Sequence, residues 1–154
     1  YDDVFQERQT AKIMALHTAL PDPPSPPVLD LGAGTGLLAR TLDIEVIALD
    51  FSMAMLEYAT GRRVQADLIA LPFADDLFGQ IFCVSALIEV HDMSAPIKEM
   101  IRVLRPDGCL ALSVLKSEDL TRVHRVFNEE LDLPYTRLDL GEDVGFILQK
   151  PKPI

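Results

Sequence analysis

The residues able to do chemistry are acids at the ends of short apolar runs. Asp30 follows Val28 and Leu29 and stands two places before Gly32, the first of three alternating glycines, Gly32, Gly34 and Gly36. Glycines at the end of a strand let the backbone turn sharply and approach a ligand closely. A plain tight turn into a helix would use the same residues, so the cluster alone decides little. Its spacing says more. The pattern is GxGxG, and Leu37 holds the place where the dinucleotide fingerprint needs its third glycine. A carboxylate at Asp30 would repel a pyrophosphate but could hold an ammonium group.

Two further acids extend the pattern. Asp50 ends the second apolar run, where a carboxylate can accept hydrogen bonds from both hydroxyls of a ribose. It could instead cap the helix that starts near Met53, a task open equally to Ser52. Asp67 ends a third, weaker run and precedes Leu68. Its carboxylate could accept from an adenine amino group while the Leu68 N–H meets a ring nitrogen. Alone, Asp67 reads as a turn residue. S-adenosylmethionine carries an ammonium, a ribose and an adenine, and a dinucleotide lacks the first.

These acids need elements to position them. The spacing predicts a helix over 5–20, stopped by the proline-rich stretch 21–27, which reads as a stiff extended connector. Strands are expected at 28–31, 46–50, 64–67, 81–85 and 109–115. Helices are expected at 37–42 and 53–59, and another carries Ile97, Met100, Ile101 and Leu104 at helical spacing. Pro106, Asp107 and Gly108 read as a turn before the fifth strand. A last helix over 120–131 precedes a hairpin of 135–140 with 144–148, joined by Gly141, Glu142 and Asp143. Strands alternating with helices argue an α/β fold with a parallel sheet covered on both faces.

Four blocks in order, LDLGAGTG (29–36), VIALDFS with MLEYA (46–52, 55–59), QADLIALPFADDLFGQIFCVSAL (65–87) and EMIRVLRPDGCLALSV (99–114), resemble the class I S-adenosylmethionine-dependent methyltransferases of small-molecule type. The resemblance implies a Rossmann-like, doubly wound, seven-stranded and mostly parallel sheet in three α/β/α layers, with an antiparallel last strand. It implies S-adenosylmethionine as cofactor and S-adenosylhomocysteine as product. By the same resemblance Asp30, Gly32, Ala33, Gly34 and Gly36 border the methionine part and Asp50 holds the ribose. Phe51, Ser52 and Met53 line the adenosine, and Asp67 and Leu68 contact the adenine. Ser85 and Ala86 lie near the methionine amino group, and Tyr1 falls where relatives fold a tyrosine over the cofactor. The chain departs from the family in a short helix over 37–42, a short connection into the third strand, and almost nothing between Leu115 and Leu120. Many relatives place a substrate-covering lid there.

The chain as a whole fits this reading. Its 154 residues suit one domain: an N-terminal helix and connector over 1–27, then a Rossmann-like core over 28–154. Hydrophobic residues make up 49% and charged residues 25%, an ordinary globular balance. A net charge of −10 disfavours nucleic acid as a partner, because phosphate binding needs clustered cations. No apolar run is long enough for a membrane span. The opening Tyr1, Asp2 and Asp3 are acidic where a secretory signal would be basic. Cys83 and Cys109 lie in apolar stretches with no metal-ligand spacing, so they read as core thiols in a cytoplasmic setting, and no metal is expected.

Methyl transfer from a sulfonium mainly requires alignment of nucleophile, methyl carbon and sulfur. A base is needed only if the acceptor arrives protonated, and Glu89 and His91 are the candidates by position. As polar residues at a helix start they have an equally good structural explanation. The leading expectation is a methyltransferase on a small-molecule acceptor. A cofactor-binding but silent or partner-dependent subunit is the second, and an NAD-dependent enzyme, disfavoured by Leu37 and Asp30, is the third. With no lid, cover over the acceptor side is expected from the N-terminal segment, a second copy of the chain, or a partner protein.

Overall fold

Strand-sized apolar runs separated by helices build a sheet with a helical layer on each face. The computed structural model describes residues 3–21 and 25–154. Tyr1 and part of the proline-rich connector therefore lie outside the described residues. Helix α1 (Asp3–Ala19) leads to β1 (Val28–Leu31), α2 (Leu37–Leu42), β2 (Ile47–Asp50), α3 (Met53–Leu56), β3 (Arg62–Gln65) and β4 (Phe78–Val84). Then follow α4 (Ser94–Val103), β5 (Leu104–Leu115), α5 (Leu120–Arg125), a π-helical turn (Val126–Glu130), β6 (Thr136–Asp139) and β7 (Asp143–Gln149).

The seven strands form one sheet in the order β3-β2-β1-β4-β5-β7-β6. Pairing is parallel except for β7, which runs antiparallel to both β5 and β6. The chain winds outward from β1 in both directions, so β1 and β4 flank the switch point where open α/β sheets bind ligands.

Side-chain alternation splits the core into two layers. Leu29, Leu31, Ile81, Cys83, Leu110 and Leu112 pack with Ile97 and Met100 of α4 and Val123 of α5. Val28, Ala48, Phe82, Ala111 and Ile147 face the other way, toward Ile13 and Leu16 of α1, Leu38 of α2 and Leu56 of α3. Asp30 shares the alternation of Val28, so it points to the α1 side.

Several boundaries differ from the sequence reading. The third strand is Arg62–Gln65 rather than 64–67, because its register is set by pairing with β2, Ile47 opposite Arg62 through Asp50 opposite Gln65. It is an edge strand, largely exposed, so hydrophobic patterning could not mark it. Strand β4 starts earlier, at Phe78, and stops before Ser85, whose φ of 53° leaves the extended region. Leu104 does not continue α4 but is its extended C-cap. The turn at Pro106–Gly108 is real yet internal to β5: Phe78 pairs with Leu104 and Gln80 with Cys109, and the residues between bulge out, with Asp107 at φ 72°. Helix α3 is a single turn ending at Leu56, and Tyr58 and Ala59 close onto Met55 and Leu56 by backbone bonds. The last helix is α-helical only to Arg125 before it widens. The hairpin strands span Thr136–Asp139 and Asp143–Gln149.

Candidate functional site

At the carboxyl ends of β1 and β2 the chain is held by its own backbone. The N–H groups of Gly32 and Ala33 both donate to Leu49 O, at 2.8 and 2.9 Å. Gly34 N–H donates to Asp50 Oδ2 at 2.8 Å, and Ser52 N–H to Asp50 Oδ1 at 2.9 Å. Asp50 is thus the tie between the glycine loop and the start of α3. The cap of α3 is Ser52, whose Oγ accepts from Met55 N–H. Each carboxylate oxygen keeps a lone pair beyond these bonds, so Asp50 can still accept from ligand hydroxyls. Two glycines have specific reasons to be glycine. A Cβ on Gly32 would lie 2.4 Å from Ala86 Cβ, and Gly34 has φ +55° with nothing closer to its Cβ position than the Met55 methyl at 3.7 Å.

This loop borders a cavity of about 880 Å³, within the range of small-molecule sites, roughly 300–1,000 Å³. Asp30, Gly32, Ala33, Gly34, Asp50, Ser85 and Ala86 all line it. Asp30 is 4% exposed, and its Oδ2 is buried without a hydrogen-bond partner. Burial, and secondarily the Asp50 charge, push the Asp30 carboxyl up to about 8. Such an acid awaits a cationic partner: an ammonium beside it would satisfy the orphaned oxygen and favour the charged form.

Other residues named from the sequence stand elsewhere. Phe51 is 75% exposed, and Met53 and Asp67 are also exposed. Ser52 and Leu68 are half-buried, and none of these five lines the cavity. Gly36 is the N-cap of α2, just behind the lining. Asp67 Oδ1 accepts from Ile69 N–H, as a turn residue does. Glu89 and His91 are exposed and are not brought to the cavity. Their segment is strapped to the β5–α5 connection: Glu89 N–H donates to Glu118, and the Arg122 guanidinium donates to Val90 O and His91 O.

The sequence offered the N-terminal segment among three possible covers but did not single out which helix residues line the cavity. Phe5, Gln6, Gln9 and Ile13 of α1 line the cavity, as do Met55 and Tyr58 after β2. The spacing of Gln6, Gln9 and Ile13 places them on adjoining turns of one helix side, which was the available signal. Among the described residues no group of His, Cys, Asp and Glu could hold a metal ion, and no helix is long and apolar enough to cross a membrane.

Comparison with known proteins decides the family. The sequence matches the family described as "Methyltransferase domain" over residues 29–112. The chain belongs to the S-adenosylmethionine-dependent methyltransferases. It is 34% identical over 136 residues to a malonyl-[acyl-carrier protein] O-methyltransferase of Pseudescherichia vulneris, covering 82% of this chain and 53% of that protein. It is 36% identical over 123 residues to a demethylmenaquinone methyltransferase of Mycolicibacterium paratuberculosis, covering 76% of this chain and 54% of that protein. The chain thus spans about half the length of the curated relatives it matches. In fold it superposes on a Methanococcus maripaludis protein assigned to the S-adenosylmethionine-dependent methyltransferases, with TM-score 0.82 and 17% identity, over 99% of this chain and 89% of that one. The methyltransferase cavity suits the family cofactor in size, and the orphaned Asp30 oxygen suits its ammonium.

Proposed function

We propose that the methyltransferase cavity binds S-adenosylmethionine and that the chain passes its methyl group to a small-molecule acceptor. The observation that carries this is the buried, unpartnered Asp30 carboxyl facing the cavity beside the glycine loop. When bound, the cofactor supplies an electrophilic methyl carbon on a sulfonium that departs as a neutral thioether. The protein's part is placement. Asp30 would pair with the ammonium, and Gly32, Ala33 and Gly34 would let the backbone come close to the methionine part, with Gly36 turning the chain into α2. Asp50, already fixed by Gly34 and Ser52, would accept from the ribose hydroxyls, and Ser85 and Ala86 would border the amino-acid end. Phe51, Ser52, Met53, Asp67 and Leu68, which do not line the cavity itself, would meet the adenosine where it extends past the ends of β2 and β3. Catalysis then rests on alignment and exclusion of water. The relatives' names, a carboxyl-bearing acyl carrier and a quinone precursor, support an acceptor that is not a nucleic acid.

Calorimetry with S-adenosylhomocysteine and with NAD tests this reading. Micromolar or tighter binding of the first and none of the second is expected; NAD binding alone would overturn it.

A second reading, a partner-dependent subunit, draws on one feature. Only residues 116–119 connect β5 to α5, while Phe5 and Ile88 at the cavity edge are partly exposed. Under that reading an acceptor is methylated only when a second copy or another protein covers this edge. Deleting residues 1–5 should then loosen cofactor retention and slow turnover together. A truncated monomer that methylates a small acceptor at full rate would remove this reading.

A further inference from the structure

The helix that covers the cavity carries a buried cation. Lys12 of α1 is 3% exposed, lying between the cavity-lining Gln9 and Ile13. Its Nζ donates to Gln9 Oε1 at 2.7 Å, Glu142 Oε1 at 2.7 Å and Ser85 Oγ at 3.3 Å. It also forms an ion pair with Asp143 Oδ1 at 2.8 Å. Asp143 is fully buried at the start of β7, and its Oδ2 accepts from Ser85 Oγ at 2.6 Å. Ser85 lines the cavity at the tip of β4 with φ 53°, a conformation that costs a non-glycine residue energy and needs its surroundings to hold it. Its N–H is held in turn by Ser113 O and Oγ.

One cluster therefore joins the cover helix, the β4 tip and the start of β7. An apolar plug would fill the same space without the desolvation penalty of a buried ion pair. Apolar packing would not fix a direction, however, and the charged cluster does: it sets the rotation of α1 that turns Gln6 and Gln9 toward the cavity, and it holds the Ser85 hydroxyl. Lys12 does not itself line the cavity, and its positive charge is already matched by Glu142 and Asp143. It is therefore not free to act as the counter-ion of a ligand carboxylate.

We infer that Lys12, with Asp143, is a positioning residue of the methyltransferase site, fixing α1 and Ser85 around the amino-acid end of the bound cofactor. This rests on the cofactor reading above.

The test compares two probes by calorimetry, S-adenosylhomocysteine and 5′-methylthioadenosine, which lacks the amino-acid end. Lys12→Met alone would strand a buried carboxylate, so the variant is the double change Lys12→Met with Asp143→Asn, which removes both charges. Loss of the positioned contacts should weaken S-adenosylhomocysteine by about ten-fold or more and methylthioadenosine by less than about two-fold. Glu142→Gln, at a partly exposed position outside the cavity, should fold normally and give the same selective loss at roughly two- to five-fold. Lys12→Arg should recover part of the selectivity. Equal weakening of both probes, or no weakening, in the folded variants overturns the inference. Wild-type protein that binds neither probe overturns instead the cofactor reading beneath it.

Discussion

At the tips of β1 and β2 the backbone is fixed by bonds between near neighbours in the sheet: Gly32 and Ala33 to Leu49, and Gly34 and Ser52 to Asp50. At the tips of β4 and β5 the ties come from far along the chain. Ser85 is held by Asp143, Glu89 by Glu118, and the Val90 and His91 carbonyls by Arg122, while Ser85 and Glu89 both take positive φ. The first half is a preformed cradle, made once the central strands pair. The second half acquires its shape only when helices α1 and α5 and strand β7 have docked. Contacts to the ribose at Asp50 should therefore be robust to changes beyond the cradle, whereas the amino-acid end of the cofactor beside Ser85 and acceptor handling should be sensitive to them.

The largest expected effect breaks the cradle. Gly34→Val leaves room for its Cβ but forces a β-branched residue to φ +55°, costing roughly 1–3 kcal/mol of stability. S-adenosylhomocysteine affinity should fall by at least about 100-fold, close to 3 kcal/mol. A folded Gly34→Val protein that binds normally would show that the loop is not the ligand cradle.

Asp30 sharpens the comparison through pH. Its folded pKa, about 8, lies above the unfolded value of 3.8, so between these values the folded state holds a proton that the unfolded state has released. The contribution is fully present below the unfolded value and is lost as pH rises through the folded one. Ligand-free protein should thus lose up to roughly 1.4 kcal/mol per pH unit across about pH 5–8, a slope that Asp30→Asn removes. Added S-adenosylhomocysteine should release a proton on binding and flatten the same slope. Chemical denaturation at several pH values reads both, and an unchanged slope in Asp30→Asn would assign it to another group.

Asp50→Ala should weaken the cofactor by about 1–3 kcal/mol and lower stability by about 1–2 kcal/mol, since two backbone N–H groups lose their acceptor. A lower melting temperature with unchanged affinity would make Asp50 a loop tie and nothing more. The smallest effects are expected from Glu89→Gln and His91→Ala, whose exposed side chains lie outside the cavity, with stability changes within about 0.5 kcal/mol. Cofactor affinity should be unchanged. A kcat loss of about 100-fold in either would bring proton transfer back into the mechanism.

Much of the cradle was legible in the sequence because its causes are local. Glycine spacing sets where φ can be positive, and an acid closing an apolar run must come to a strand tip. Asp67 shows where that logic fails: β3 is an exposed edge strand whose register follows β2, so its end lay two residues earlier than its own pattern suggested. Glu89 and His91 were placed by position alone, and positive φ at Glu89 with the Arg122 strap turns their segment elsewhere.

By itself the sequence determined the alternating α/β order, the glycine turn after β1 and the acids at the tips of β1 and β2, since each follows from steric or hydrophobic patterns within a few residues. Only the tertiary structure decided that Asp30 is the buried acid lacking a partner, that α1 roofs the cavity, and that Lys12 meets Glu142 and Asp143. Those last partners lie some 130 residues apart. Burial and ion pairing depend on what packs across the sheet, and no local pattern records which distant charge will arrive.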